Sequence, residues 1–401
     1  MKRALPLTLV LLSALTLPAT VRAQDSNFVP VPSADSQAPP GWSFTPTLAV
    51  GTGYDDNVLL RGNGDSTPGD VINVVNPRGT LDYNGARGQL SATYDGSMLL
   101  YRNFNDLNSL DQHGSFFGRR LISRHVALFV RDSAADVPTT ELQEFVGVPF
   151  VLTGSKLEDL RGGVEASFTK RTSMVVSYDF QWVDFDRTAP GAGSLFGGHS
   201  HGATITLKHL VSERLAVTGD YDVQHAILAD INQIFDVQNA WAGFEYRVTD
   251  LTRVFAQAGV SHLDVTQFGE SRTGPAWHVG VDRTFRKAGL DLTYSRSYVP
   301  IYGFGGTMQN EEVTGRLQLP LGRRVYTTSA LSFRRDDPLT AGMLPLQSWW
   351  VEGTIGYALS PRLRFEVFYA GTRQTVDIPG GLLDRNRAGI QFIAAKPMRI
   401  R

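Results

Sequence analysis

The chain of 401 residues contains no cysteine. That absence excludes disulfides, thiolate metal sites, a cysteine nucleophile and a lipid anchor built on cysteine. Charge is scarce as well: 19% of residues are Asp, Glu, Lys or Arg, and the formal net charge is −1. With no basic surplus to neutralise phosphates, no nucleic-acid partner is expected. Past the N-terminus, no apolar run approaches the roughly 18 residues that a membrane-crossing helix needs. Amphipathic helical periodicity is missing too. A hydrophobic share of 42% nevertheless excludes general disorder, and 40 glycines suit a fold of many strands and turns.

The N-terminus is of another kind. "MKRALPLTLVLLSALTLPATVRAQ" begins with Lys2 and Arg3, runs apolar from Ala4 to Leu17, and offers the small-residue site Val21-Arg22-Ala23. This pattern predicts a secretory signal peptide over residues 1–23. Residues 24–42, rich in Pro, Ser and Asp, read as a disordered periplasmic linker whose composition specifies no partner.

From there on the recurring pattern is alternation. In "SMVVSYDFQWVDF" Val176, Tyr178, Phe180 and Trp182 share one parity, and Ser177, Asp179 and Gln181 the other. "LAVTGDYDVQ" sets Leu215, Val217, Tyr221 and Val223 against Thr218, Asp220, Asp222 and Gln224. A period of two describes a strand with one apolar and one polar face. Many of these strands hold the pattern for about ten residues, the length a tilted strand needs to cross a bilayer.

Short polar turns recur at "YNGAR" (83–87), "SRH" (123–125), "KRTS" (170–173) and "SERL" (212–215). Four more follow, at "VTDLTR" (248–253), "RKAG" (286–289), "LGRR" (321–324) and "SPRL" (360–363). Between them lie longer loops rich in Gly, Asp and Pro, the longest being residues 134–155. Short turns at one end and long loops at the other describe an outer-membrane barrel. Eight short turns with a free strand at each terminus predict an all-β, transmembrane, antiparallel up-and-down β-barrel of about 18 strands. It would occupy residues 43–396, with residues 397–401 as a tail. A β-propeller also repeats at about 40 residues, but each blade needs four short strands where this chain has two long ones.

The first three strands resemble a known family. "TLAVGTGYDDNVLL" followed by "DVINVVNPRGTLDYNGARGQLSATYDG" is similar to the β-barrel porin type 2 family, through Tyr54, Asp55, Asp56, Asn57 and Val58, then Pro77, then Leu81-Asp82-Tyr83. The resemblance implies an outer-membrane barrel of a Gram-negative bacterium, associated with exopolysaccharide synthesis and export. On that expectation the chain is the outer-membrane passage for an exopolysaccharide or capsular polysaccharide, with periplasmic export proteins as partners. Two alternatives stay open: a general or solute-specific diffusion porin for small hydrophilic solutes, which would fold a loop such as 134–155 into the lumen, and a plugged structural or adhesive surface barrel. One departure is that "GIQFIAAKPMRIR" carries Phe392 inside its last strand, where such barrels usually end on an aromatic residue.

Signs of catalysis are thin. Nucleophile-elbow and P-loop patterns are absent, and no catalytic residue, cofactor or metal is expected. His199 and His201 share a strand face but lack the further ligands a metal site needs. Asp55, Asp56 and Asn57 offer oxygens to a Ca²⁺ ion, yet adjacent strand residues point in opposite directions, and Asp and Asn also suit a strand-to-loop exit. The polar parity carries Asp95, Asp179, Asp220, Asp222, Glu245, Arg247, Asp282, Arg334, Glu352, Arg364 and Glu366, which are expected to line a wet lumen. Trp241, Trp350 and Phe368 fall on the same parity, where they stack on sugar rings or pack locally at a bulge.

Overall fold

A computed structural model describes residues 41–400 except 63–66, 141–147, 187–194, 230–232, 267–268, 285–287, 301, 304, 340–343 and 377–380. The proposed signal peptide and nearly all of the linker lie outside the described residues. In chain order the strands are β1 (Gly41–Asp55), β2 (Asp70–Asn84), β3 (Gly88–Tyr101), β4 (Ser109–Leu121), β5 (Val126–Val137) and β6 (Ser155–Ser167). Next come β7 (Thr172–Phe185), β8 (Gly198–Leu210), β9 (Leu215–Leu228), β10 (Gln233–Thr249), β11 (Thr252–Val265) and β12 (Glu270–Thr284). The last are β13 (Gly289–Pro300), β14 (Thr307–Pro320), β15 (Val325–Pro338), β16 (Leu346–Ser360), β17 (Leu363–Val376) and β18 (Leu382–Ala395). Every strand pairs antiparallel with its sequence neighbours, and β1 pairs with β18 from Thr47↔Ala395 to Asp55↔Arg387, which closes the ring. The result is the closed barrel of 18 strands that the alternation and the turns predict.

A short strand, β19 (Met398–Ile400), follows Pro397 and pairs with Trp42–Phe44 of β1. It continues the line of β18 past a proline that cannot donate to the ladder. Met398 and Ile400 keep the outward parity of Ile390 and Phe392 and lie exposed, opposite Phe44 and Trp42.

All eight short turns fall at one end of the barrel, and the long connections fall at the other. The outer wall is apolar: Leu48, Val50, Ile205, Leu207, Val260, Leu331, Ile355 and Val367 are exposed around the ring. Exposed aromatics bracket this band, with Tyr54, Tyr178, Trp349 and Tyr369 toward the long-loop end and Trp42, Tyr246 and Tyr357 toward the short-turn end. An apolar belt between aromatic girdles, on a sheet whose first and last strands pair, is the exterior of an outer-membrane barrel, for which lipid is the solvent. No helix among the described residues is long and apolar enough to cross a membrane; the strands do the crossing.

One joint in the wall is incomplete. β12 and β13 pair only from Trp277↔Arg296 down to Thr284↔Gly289. Above that point β12 stays with β11 as far as Val265↔Glu270, and β13 stays with β14 as far as Pro300↔Thr307. The upper parts of β12 and β13 therefore separate.

Candidate channel and its narrowed mouth

The polar parity forms the inner wall, and several of its charges are paired between nearby strands. Asp179 takes an ion pair from Arg161 Nε at 3.0 Å. Asp95 faces Arg78 at 3.7 Å. Glu245 receives Lys208 Nζ at 2.5 Å, and Asp282 receives Arg253 Nε at 2.8 Å. Arg334 reaches Glu312 at 2.9 Å. Asp220 accepts from Thr206 at 2.6 Å and from Gln257, and Asp222 accepts from Asn239 at 3.0 Å. Glu366 is fully buried beneath Tyr326 and Gln391, both of which donate to it. Glu352 lies across from Ala330 and Ala370, and Arg364 across from Ala358 and Ile393. Arg247 shares the inner parity with Glu245, opposite Arg253, at the short-turn end. Charge-assisted contacts of this kind orient the side chains they join.

The three inward aromatics differ in surroundings. Phe368 lies over Gly53 and Gly389, so close that a Cβ on Gly389 would overlap its ring. It covers the bare backbone of two glycines at the β1–β18 joint, an aromatic filling a gap in the wall. Trp241 and Trp350 also stand on the inner parity, Trp241 between Asp220 and Gly259, and Trp350 between Ser332 and Thr372. His199 and His201 are on the outer wall, their ring centroids 5.4 Å apart, with His201 bonded to Tyr178 at 2.5 Å. Among the described residues no group of His, Asp and Glu is arranged to hold a metal ion.

Asp55, Asp56 and Asn57, which with Tyr54 carry the family resemblance, fasten the seam between first and last strands. Asp55 is fully buried and accepts from Arg385 of β18, Nε at 2.8 Å and Nη2 at 2.5 Å. It also accepts the Asn57 backbone N–H at 2.9 Å. Asp56 accepts from the Asn386 backbone at 2.7 Å and from its side chain at 2.8 Å. Buried Asn57 donates to the carbonyls of Arg61 and Asp384, at 2.8 and 3.0 Å, and accepts from the Arg61 N–H at 2.9 Å. The alternation of the strand explains the division of labour: Asp55 points in to Arg385, while Tyr54 points out, 54% exposed, at the upper girdle. The carboxylates are occupied by protein donors.

The barrel mouth is narrowed by three connections that reach inward. In the β5–β6 connection, within the 134–155 stretch, Thr140 ties the returning chain to itself by donating to Pro149 O at 2.7 Å and accepting from Val151 N at 2.9 Å. Phe150 then donates its N–H to Gln374 of β17 at 2.7 Å and packs with Leu60 and Leu383. From the β7–β8 connection, Phe196 forms a two-way backbone bridge with Gly303 of the β13–β14 connection, at 2.7 and 2.9 Å. Val148 lies against Gly303, whose φ of +83° suits a residue without a side chain. Beneath them Tyr298 and Tyr302 pack with Leu228, Phe235, Val237, Leu263 and Val265 of the inner wall. Burial pushes the Tyr302 phenol above its usual range, so it stays neutral.

The residues of this mouth are not among those the alternation singles out, since a loop that leaves its strand loses the period of two. One signal was available. Phe235, Val237, Leu263 and Val265 sit on the inner parity, where water would demand polar groups, and they are apolar because the β13–β14 segment covers them.

No protein-family model matches the chain, and no curated protein matches it. Solved structures are similar in outline. OccAB3 of Acinetobacter baumannii shares 11% identity over 89% of this chain and 99% of that one, with a TM-score of 0.44. The outer membrane protein opdK of Pseudomonas aeruginosa is similar at 11% identity over 89% and 99%, with a TM-score of 0.45. The siderophore receptor PirA of Pseudomonas aeruginosa shares 8% identity over 88% and 80%, with a TM-score of 0.41. At such identities and scores the likeness carries no solute and no activity to this chain.

Proposed function

We propose that the protein is a diffusion channel for small hydrophilic solutes across the outer membrane of a Gram-negative bacterium, working without covalent chemistry. The observation that carries this reading is the convergence of the β5–β6, β7–β8 and β13–β14 connections inside the mouth, above a wall of paired charges. A barrel of this strand number leaves an aqueous lumen unless loops narrow it. Narrowing by inward connections sets a size limit, and the mixed charges of the wall offer hydrogen bonds to solutes of either sign. A polysaccharide in transit would need a wide, continuous opening, and the contacts of Phe150 with Gln374 and of Phe196 with Gly303 stand across that path. Export of a polymer, with periplasmic partners, is therefore the less favoured reading.

The test is electrical and osmotic. The folded barrel in planar bilayers is expected to give discrete conductance steps, and proteoliposomes should swell in small sugars and amino acids but not in oligosaccharides. Loss of surface polysaccharide in a deletion strain, with small-solute uptake unchanged, would overturn the reading in favour of export.

A further inference from the structure

The short turns repeat one frame. Ile122, Phe168, Val211 and Leu321 open the β4–β5, β6–β7, β8–β9 and β14–β15 turns, and each donates its N–H to the carbonyl four residues on, at 2.9, 3.0, 2.9 and 2.9 Å. In the first three a hydroxyl follows: Ser123, Thr169 and Ser212 accept the backbone N–H two residues on, at 3.1, 3.1 and 3.2 Å. The hydroxyl takes over part of the turn's hydrogen bonding. Each frame then closes on positive charge, with Arg124, Lys170 and Arg171, Arg214, and Arg323 and Arg324. The opening residue keeps the outward parity of its strand. Phe168 continues the row of Val164 and Ala166, and Leu321 that of Leu317 and Leu319. At 60% and 61% these two are the most exposed large apolar side chains among the described residues. An apolar side chain on the lipid side thus stands beside a cation in turn after turn.

These cations differ from the other outward charges of the barrel. They are exposed, and none is in an ion pair with a described residue. Arg87 and Arg362 add to them from the β2–β3 and β16–β17 turns, against Glu213 and Asp250. Toward the long-loop end, outward bases are neutralised by neighbours. Lys156 meets Asp136 at 3.9 Å, Arg296 meets Glu311 at 3.5 Å, Arg335 meets Asp337 at 3.0 Å and Arg373 meets Asp384 at 3.5 Å. Among the described residues, uncompensated positive charge on the outer rim gathers at the short-turn end.

We propose that the short-turn end is a ring-shaped binding surface for anionic phospholipid of the periplasmic leaflet. The opening residue of each turn dips among the acyl chains next to the headgroups, and the long Arg and Lys stems carry their charges to the phosphates. Each base near an anionic surface adds to the attraction, and the sum over the turns selects phosphatidylglycerol or cardiolipin over zwitterionic lipid. The circumference decides the occupant. Phe168 and Leu321 follow β6 and β14, on nearly opposite sides of the ring. Bilayer surrounds both, whereas a soluble acidic partner would meet one sector and leave the other apolar side chain in water. The ring does not depend on what passes through the lumen; it sets how deep and which way up the barrel sits.

The test is the lipid selectivity of the full barrel in phosphatidylcholine vesicles, read by electron paramagnetic resonance with chain-spin-labelled phosphatidylglycerol or phosphatidylcholine. The motionally restricted fraction should favour phosphatidylglycerol severalfold, and concentrated potassium chloride, which screens exposed charges, should bring the ratio to one. Combining Arg124→Gln, Lys170→Gln, Arg171→Gln, Arg323→Gln and Arg324→Gln should do the same at low salt, in a barrel that still migrates as folded on gels. Arg335→Gln, toward the long-loop end, should keep the preference. Equal restriction of the two lipids by the natural protein overturns the ring and leaves a soluble acidic partner for its charges. A preference that survives the five substitutions, or that concentrated salt leaves intact, overturns it as well. Should the combined variant fail to fold, the salt titration of the natural protein decides alone.

Discussion

Replacing Asp55 by Asn tests whether the seam is held by charge. The substitution keeps the size of the side chain and one acceptor oxygen, and it removes the carboxylate from a guanidinium whose side chain is only 3% exposed. Two N–H···O bonds, at 2.8 and 2.5 Å, lose their ionic partner together. Breaking one member of a buried pair costs about 3–5 kcal/mol, because the other charge stays desolvated. At 1.4 kcal/mol per factor of ten, that is roughly a 100- to 4,000-fold loss in the folding equilibrium. Urea unfolding in phospholipid vesicles, followed by tryptophan fluorescence and by heat-modifiable migration on gels, reads the change. Arg385→Gln should cost a similar amount, while the double variant should fall short of the sum by about 0.5–3 kcal/mol, as expected for groups in contact. A shift under about 0.5 kcal/mol for Asp55→Asn, or strict additivity, would refute the clasp.

Two further outcomes follow from the wall. Ile205→Arg places a charge in the lipid-facing belt and should cost about 2–4 kcal/mol in the same assay, whereas Thr206→Arg, one residue on and facing Asp220, should cost under about 1 kcal/mol; equal costs would mean that the two faces are misassigned. Gly259→Ala drives a Cβ into the Ala240 carbonyl of the neighbouring strand and should prevent a heat-modifiable barrel from forming, while Gly353→Ala, with open space around it, should fold normally.

The barrel was legible because the strand period and the turn chemistry repeat many times, and each repeat corroborates the rest. Tyr178, Val217 and Val367 announce the lipid face, and Asp179, Asp220 and Glu366 the inner one, simply by parity. The role of Asp55 was not legible. Its partner Arg385 lies 330 residues away, and a single sequence carries no period that connects them. The mouth was half legible. Residues 134–155 stood out by length as a loop that could enter the lumen, and described parts of that stretch do reach Gln374 and Gly303. The departure of β13 from β12 was hidden, because Ser297–Pro300 keep the alternation of a wall strand while running inside the wall. Only the apolar residues on the inner parity of β10 and β11 hinted at a cover.

The clasp also orders events in time. Asp55 and Arg385 can meet only after every intervening strand has been made, and joining chain ends 330 residues apart costs on the order of 5 kcal/mol in loop entropy for an otherwise open chain. Neighbour-by-neighbour pairing pays that cost in small steps, so the seam is sealed last. It is correspondingly the first place a stressed barrel would come apart, and a chain whose strands are one residue out of register would bring the wrong face of β18 to Asp55. The motif thereby tests, once per molecule, whether the whole ring has been laid down correctly.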